Sequence, residues 1–294
     1  MNQTETVSNL TTPIPESDYV LHRRFDRIGR LIGDNNMEKL LNSHVMVIGL
    51  GGVGSWAAEA LARSGVGRLT LVDYDEVCIT NTNRQLHTLS GLIGKKKAIV
   101  MAERIQKINP QIKVEAMTLF YNAETSDDIL SKNPDFVLDA VDNITAKCHL
   151  LAIAKKRNLK IITSGGSASK MDPTKIKISD LSKTEIDPML IVLRRVLRQD
   201  YEFPRKGEFG ITCVWSSEEP IFPVDLTYDN GEGFKCVCPQ GQNGFNSCDN
   251  KRLINGSAAF VTGAFGLAAV SWIVRQVVET PALSNQAALQ KDHV

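Results

Sequence analysis

The sequence predicts an α/β fold, a doubly wound, mainly parallel sheet with helices on both faces. Three observations carry that reading. Short β-branched runs alternate with helical stretches, a glycine-rich turn joins the first strand to the first helix, and the composition is that of a large globular chain. Of 294 residues, 43% are hydrophobic and 23% charged, which supports a sizeable core and excludes disorder over most of the length. Lys and Arg number 34 against 33 Asp and Glu, so a net charge of +1 excludes a globally cationic nucleic-acid binder and leaves only local patches.

In chain order, His44–Leu50 is a strand and Ser55–Ser64 a helix closed by Gly65. Arg68–Asp73 is the second strand, and Gly94–Ile108 a helix stopped by Asn109-Pro110. Lys113–Thr118, Phe136–Val141 and Lys160–Ser164 continue the strands, with Ala146–Arg157 helical between the last two. After Gly166 the pattern loosens into a less regular C-terminal extension of the sheet. Its parts are a strand at Lys175–Ser179, an amphipathic helix at Asp187–Gln199 and a strand at Gly210–Trp215. Thr227–Asn250, rich in Gly, Asn, Asp and Cys, reads as a long loop. Residues 1–20 and 281–294 read as flexible tails around a domain of residues 21–280, divided into halves 21–165 and 166–280.

Leu253–Val274 has no charged residue and the length of a membrane span. Its Asn255, Ser257, Thr262 and Ser271, with Gly256, Gly263 and Gly266, favour a helix buried in the fold over one crossing a bilayer. Met1–Glu16 lacks the apolar stretch of a secretory signal, so the six cysteines are expected to be reduced and the protein cytoplasmic.

Gly49-Leu50-Gly51-Gly52-Val53-Gly54 satisfies G-x-G-x-x-G directly between a strand and a helix. Gly49, Gly51, Gly52 and Gly54 permit a tight turn and close backbone approach, and the helix N-terminus then offers free N–H groups to phosphate. Asp73 ends the second strand, where it can accept from ribose hydroxyls, and Asp75 follows it. A nicotinamide enzyme would need no more. Here Asn81-Thr82-Asn83-Arg84-Gln85 and the lysines up to Lys97 come next, placing positive charge where cleavage between the α- and β-phosphates of ATP develops negative charge. Asp142, after the strand Phe136–Val141, is placed to hold Mg²⁺ at a strand's carboxyl end.

GLGGVGS, LVDYDEV, the N-x-N-R-Q run, Lys97 and DAVDN together resemble the ubiquitin-activating-enzyme-like adenylyltransferases, Rossmann-like enzymes that activate a carboxylate as an acyl-AMP. Arg24-Phe25-Asp26-Arg27 resembles that superfamily's N-terminal arginine motif. The resemblance implies Gly51 and Gly54 on phosphate, Asp73 on ribose, Asn81, Arg84 and Lys97 on the triphosphate, and Asp142 on the metal. Gly49, Gly52, Asp75 and Gln85 complete the nucleotide-binding set. It further implies a homodimer in which Arg27, with Arg30 competing for the role, reaches the neighbouring subunit's nucleotide.

GGVGSWAAEALARSGVG, VCITNTNRQLH, KAIVMAERIQKINP and DPTKIKISDLSKTEIDP with LRRVLR narrow the resemblance to the tRNA threonylcarbamoyladenosine dehydratases, over residues 22–280. That resemblance implies ATP and Mg²⁺ as cofactors and tRNA as substrate. It implies adenylation of the threonyl carboxylate, then ring closure by an internal nitrogen with loss of AMP. An intramolecular nucleophile has a high effective concentration, so no acyl-accepting cysteine is required.

The remaining features divide between two readings each. Cys236, Cys238 and Cys248 with Cys213 make a four-thiol set for zinc, but C-x-C is not the paired C-x-x-C of sulfur-carrier-activating relatives, and ordinary thiols are the preferred reading. A sulfur-transfer partner protein is the matching alternative, either for an enzyme activating a ubiquitin-like sulfur carrier or for a nucleotide-binding sulfur relay. Arg194, Arg195 and Arg198 are candidates for tRNA phosphate, Arg194 and Arg198 sharing a helix face, against the reading of a solvated helix. Trp56, Trp215 and Trp272 read as packing, as do Cys78 and Cys148, and His87 as a structural histidine.

Overall fold

The computed structural model describes residues 21–224, 226 and 255–278. The predicted tails, the loop Thr227–Asn250 and Cys236, Cys238 and Cys248 lie outside the described residues.

Seven strands form one sheet: β1 (His44–Ile48), β2 (Arg68–Val72), β3 (Lys113–Met117), β4 (Phe136–Asp139), β5 (Ile161–Ser164), β6 (Ile176–Asp180) and β7 (Thr212–Ser216), in the order β3-β2-β1-β4-β5-β7-β6. All neighbours are parallel except β6, which runs antiparallel to β7 and forms the less regular edge. The helices are α1 (Asp26–Ile32), α2 (Asp34–Asn42), α3 (Gly54–Arg63), α4 (Lys97–Ile108), α5 (Ser126–Leu130), α6 (Ile144–Lys156), α7 (Pro188–Asp200) and α8 (Ala259–Val277).

Strand periodicity divides the core in two. In β1, Val45 and Val47 face a cluster with Met37 and Leu40 of α2, Ala57 and Leu61 of α3, Met101 and Ile105 of α4, and Phe265 and Ile273 of α8. Met46 and Ile48 face the opposite cluster, with Ile129 of α5, Leu150 and Leu151 of α6, and Leu193 and Leu197 of α7. Both faces of a central parallel strand are therefore covered, which is why these strands read as continuous apolar runs.

Within the apolar segment expected at 253–274, the helix α8 starts at Ala259 and runs to Val277; it is long and apolar enough to cross a membrane, yet has one face in the core. Its small residues allow a close approach to α3: a Cβ at Gly266 would lie 2.5 Å from the Val53 carbonyl, and one at Gly263 3.3 Å from the Trp56 ring. Phe260 and Leu267 stay exposed on the other face.

Two predicted boundaries move for identifiable reasons. The helix expected from Gly94 begins at Lys97, because Gly94 N–H donates to Val77 O and Val77 N–H to Lys95 O, tying that stretch to the segment after β2. The strand expected to reach Leu50 stops at Ile48, because Gly49 turns with φ +89° into the glycine loop.

Candidate active site

The strand order reverses between β1 and β4, the crevice where open α/β sheets bind ligands. Two loops meet there. The first follows β1 as Gly49–Val53 and the second follows β4 as Ala140–Asn143. A Cβ at Gly49 would come 2.7 Å from Ala140 O, so the loops touch backbone to backbone. A Cβ at Gly54 would meet Gly49 O at 1.8 Å, so only glycine closes the turn. Val53 is the N-cap of α3 and supplies no side-chain cap; Ser55 N–H donates back to Gly51 O at 3.1 Å, and the other N–H groups of the loop and first turn remain to meet an anion.

Asp73, 8% exposed, clamps this loop. Its Oδ2 accepts from Leu50 N–H at 2.6 Å and its Oδ1 from Asp75 N–H at 2.8 Å. Burial pushes its carboxyl up, against the pull of Lys97. Lys97, at the start of α4, is buried and donates to Asp75 Oδ2 at 2.9 Å. Burial lowers its pKa, but the charges of Asp73, Asp75 and Asp142 outweigh burial and hold the ammonium above its ordinary value. Arg84 is held on the same side: Trp56 Nε1 donates to its carbonyl at 3.0 Å, and its own Nη1 donates to Thr80 O and Asn83 Oδ1, each at 2.9 Å. Burial lowers the pKa of its guanidinium, while Asp142 opposes that shift. Arg84, Lys97 and exposed Asp142 thus share one electrostatic neighbourhood.

Asn81 caps the backbone at Cys78, its Oδ1 accepting from Cys78 N–H at 3.3 Å. Gln85 lies over the glycine loop, with Nε2 3.9 Å from where a Gly51 Cβ would stand, and its buried Oε1 has no partner among the described residues. A Cβ at Gly52 would lie 3.1 Å from the Thr262 side chain of α8, so α8 walls one side of the loop. The arrangement offers N–H donors, one ammonium and one guanidinium to a polyphosphate, and an exposed carboxylate beside them.

Other predicted residues fall elsewhere. Arg27 stands on α1 with its side chain 96% exposed and is not joined to these residues, while Arg30 pairs with Asp26 at 3.0 Å. Of the three candidate arginines on α7, only Arg195 is exposed. Arg194 donates to Thr184 Oγ1, and Arg198 lies 4.9 Å from the Phe209 ring centre and donates to Pro204 O. Cys213 is wholly buried in β7, where burial pushes its thiol far up, opposite to what a thiolate ligand needs. Among the described residues, no three His, Cys, Asp or Glu side chains gather as a metal site. His87 is wholly buried and Trp215 donates to Ser179 Oγ, both packed within the fold.

Sequence reasoning missed the support beneath the β4 loop. Lys147 and Asp139, both fully buried, pair at 2.6 Å; Thr163 Oγ1 donates to the same Asp139 oxygen at 2.6 Å, and Lys147 donates to Thr163 at 3.1 Å. The other oxygen, Asp139 Oδ1, accepts from Val141 N–H at 3.0 Å and so fixes the turn that carries Asp142. A signal existed: Lys147 lies four residues before Leu151 and seven before Ala154, on the apolar stripe of α6.

The chain matches the ThiF family over residues 25–291. The tRNA threonylcarbamoyladenosine dehydratase of Haemophilus influenzae is 42% identical over 259 residues, covering 87% of this chain and 94% of that protein. The crystal structure of Escherichia coli tRNA N6-threonylcarbamoyladenosine dehydratase, TcdA, in complex with AMP is similar with a TM-score of 0.75 and 36% identity, over 87% of this chain and 94% of that one. The ATP complex gives 0.74 at the same identity of 36%, over 91% and 96%. Matched by the family model over most of its length and 42% identical to a dehydratase that it covers almost end to end, the chain belongs to the ThiF family, in the branch of the tRNA threonylcarbamoyladenosine dehydratases.

Proposed function

We propose that this protein is an ATP-dependent tRNA threonylcarbamoyladenosine dehydratase that forms AMP. The observation carrying the reading is the gathering of Lys97, Arg84 and Asp142 around an uncapped helix N-terminus at the switch point. The names of the similar enzymes support the same reading.

In this reading the threonyl carboxylate attacks the α-phosphorus of ATP and pyrophosphate departs, leaving an acyl-adenylate. Gly51, Gly52 and Gly54 present N–H groups to the phosphates, and Asp73 and Asp75 lie on the ribose side. Lys97 and Arg84 meet the charge that grows on the α-phosphate and on the leaving group. Asn81 and Gln85 shape the wall over the loop. An internal nitrogen of the same substrate then attacks the acyl carbon, loses its proton and expels AMP. The carboxylate oxygen leaves on AMP, so the nucleoside has lost one water.

Exposed Asp142 offers hard oxygen donors beside the phosphate loop and would hold Mg²⁺, which when bound would supply further charge neutralisation of pyrophosphate. The enzyme works as a cytoplasmic homodimer, in which exposed Arg27, 4.0 Å from Asp26, reaches a neighbouring nucleotide. Nucleoside mass spectrometry of tRNA carrying threonylcarbamoyladenosine, after incubation with the protein and ATP, tests the reaction. Loss of one water with release of one AMP is expected. An unchanged nucleoside overturns the proposal, and adenylation of a ubiquitin-like sulfur carrier instead would assign the protein to that alternative.

A further inference from the structure

A buried carboxylate gathers cations at the end of the helix layer remote from the phosphate loop. Glu59 of α3, 7% exposed, accepts from Arg104 Nε at 2.7 Å and lies 2.6 Å from Arg63 Nη2. Burial raises its pKa, but the two guanidinium groups outweigh burial and hold the carboxyl below its ordinary value. Arg24 donates to Ile108 O at the C-terminal end of α4, and Lys107 occupies the same last turn. These cations, with Phe25 and Ile108, line a cleft of about 460 Å³. Four of the residues lining the cleft, Arg24, Arg63, Arg104 and Lys107, are cations and none is an acid; set against Glu59 behind them they leave three positive charges in excess, on a chain whose total is +1. Lys107 has no ion-pair partner among the described residues, and Arg63 keeps its side chain 60% exposed.

We infer that this cleft binds the phosphate backbone of RNA and is a surface on which the tRNA substrate rests away from the reacting nucleoside, an inference that rests on the proposed reaction. Guanidinium groups held in place by a carboxylate present fixed donors to phosphate oxygens at little further entropic cost. The distance selects a macromolecule. α4 runs from Lys97 in the nucleotide crevice to Lys107 in the cleft, and its 12 residues span about 18 Å. A mononucleotide does not touch both ends, and an RNA does. The rival surface on α7 is spent internally, because Arg194 and Arg198 turn toward Thr184 and Phe209 and leave Arg195.

The test is tRNA affinity, measured by fluorescence anisotropy at several KCl concentrations, together with AMP release at varied tRNA. The wild type is compared with Lys107→Glu and with an Arg63→Gln/Lys107→Gln double variant. The double variant should weaken binding about tenfold and lower the slope of log affinity against log salt by about two, roughly one per lost phosphate contact. The loss should appear in KM for tRNA rather than in kcat. Lys107→Glu decides the matter if the double variant fails to fold, since Lys107 makes no ion pair among the described residues. Unchanged affinity and slope overturn the inference, as does an effect confined to Arg195→Glu. So does stabilisation of the wild type by inorganic phosphate that is lost in Lys107→Glu while tRNA affinity stays the same, which would make the cleft a free-anion site. A protein that dehydrates tRNA with cleft-independent affinity breaks this inference alone. One with cleft-dependent affinity that removes no water breaks the proposed reaction and leaves the cleft standing.

Discussion

Lys97 and Lys147 are both buried cations beside aspartates near the carboxyl edge of the sheet, and they differ in how completely the fold satisfies them. Lys147, Asp139 and Thr163 bond among themselves, and Asp139 spends its second oxygen on a backbone N–H. Among the described residues Lys97 has one direct partner, Asp75, and the buried oxygen of Gln85, over the glycine loop, has none. The closed cluster is scaffold: it holds the turn carrying Asp142 and asks nothing of a ligand. The open one keeps donors in reserve, as a site for a highly charged substrate requires.

The largest expected effect falls on the closed cluster. Lys147→Ala leaves Asp139 buried and unpaired and should cost about 3–5 kcal/mol in urea unfolding, with much of the loss recovered by the apolar pair Lys147→Met/Asp139→Val. A cost under about 1 kcal/mol would erase the distinction drawn here. Lys97→Ala should instead lower kcat/KM for AMP release by about 10²- to 10³-fold with a smaller loss of stability. An active Lys97→Ala enzyme would show that the open cluster is scaffold too.

The smallest effect is a pH dependence. His87 is wholly buried between the fields of Lys97 and Arg104; burial first, then those charges, bring its pKa to about 3. Between that value and 6.5 the unfolded chain binds a proton that the folded chain refuses, so stability is full above pH 6.5 and declines below it. The decline is about 1.4 kcal/mol per pH unit, or roughly 2 kcal/mol by pH 5. Comparing urea midpoints of wild type and His87→Leu at the two pH values isolates it, the variant having the flatter profile.

The fold was legible because parallel strands buried on both faces leave β-branched runs that few other structures need, and each sits within a residue or two of its expected place. The glycine loop, Arg84, Lys97 and Asp142 were legible for a different reason: phosphate chemistry confines them to short spacings after particular strands. What escaped reading depends on distant partners. Nothing local to Lys147 names Thr163, and nothing near Arg198 names Phe209, so the first was overlooked and the second was read as a surface charge. Glu59 looks like an ordinary helix-surface acid until Arg104 arrives from another helix.

The seat of α8 on the phosphate loop joins Gly52 to Thr262, more than two hundred positions apart. During synthesis the first strands and α3 emerge long before the segment that completes their ligand-binding wall. A nascent chain that has made the loop but not yet α8 therefore lacks that wall, and the site is completed only when α8 docks.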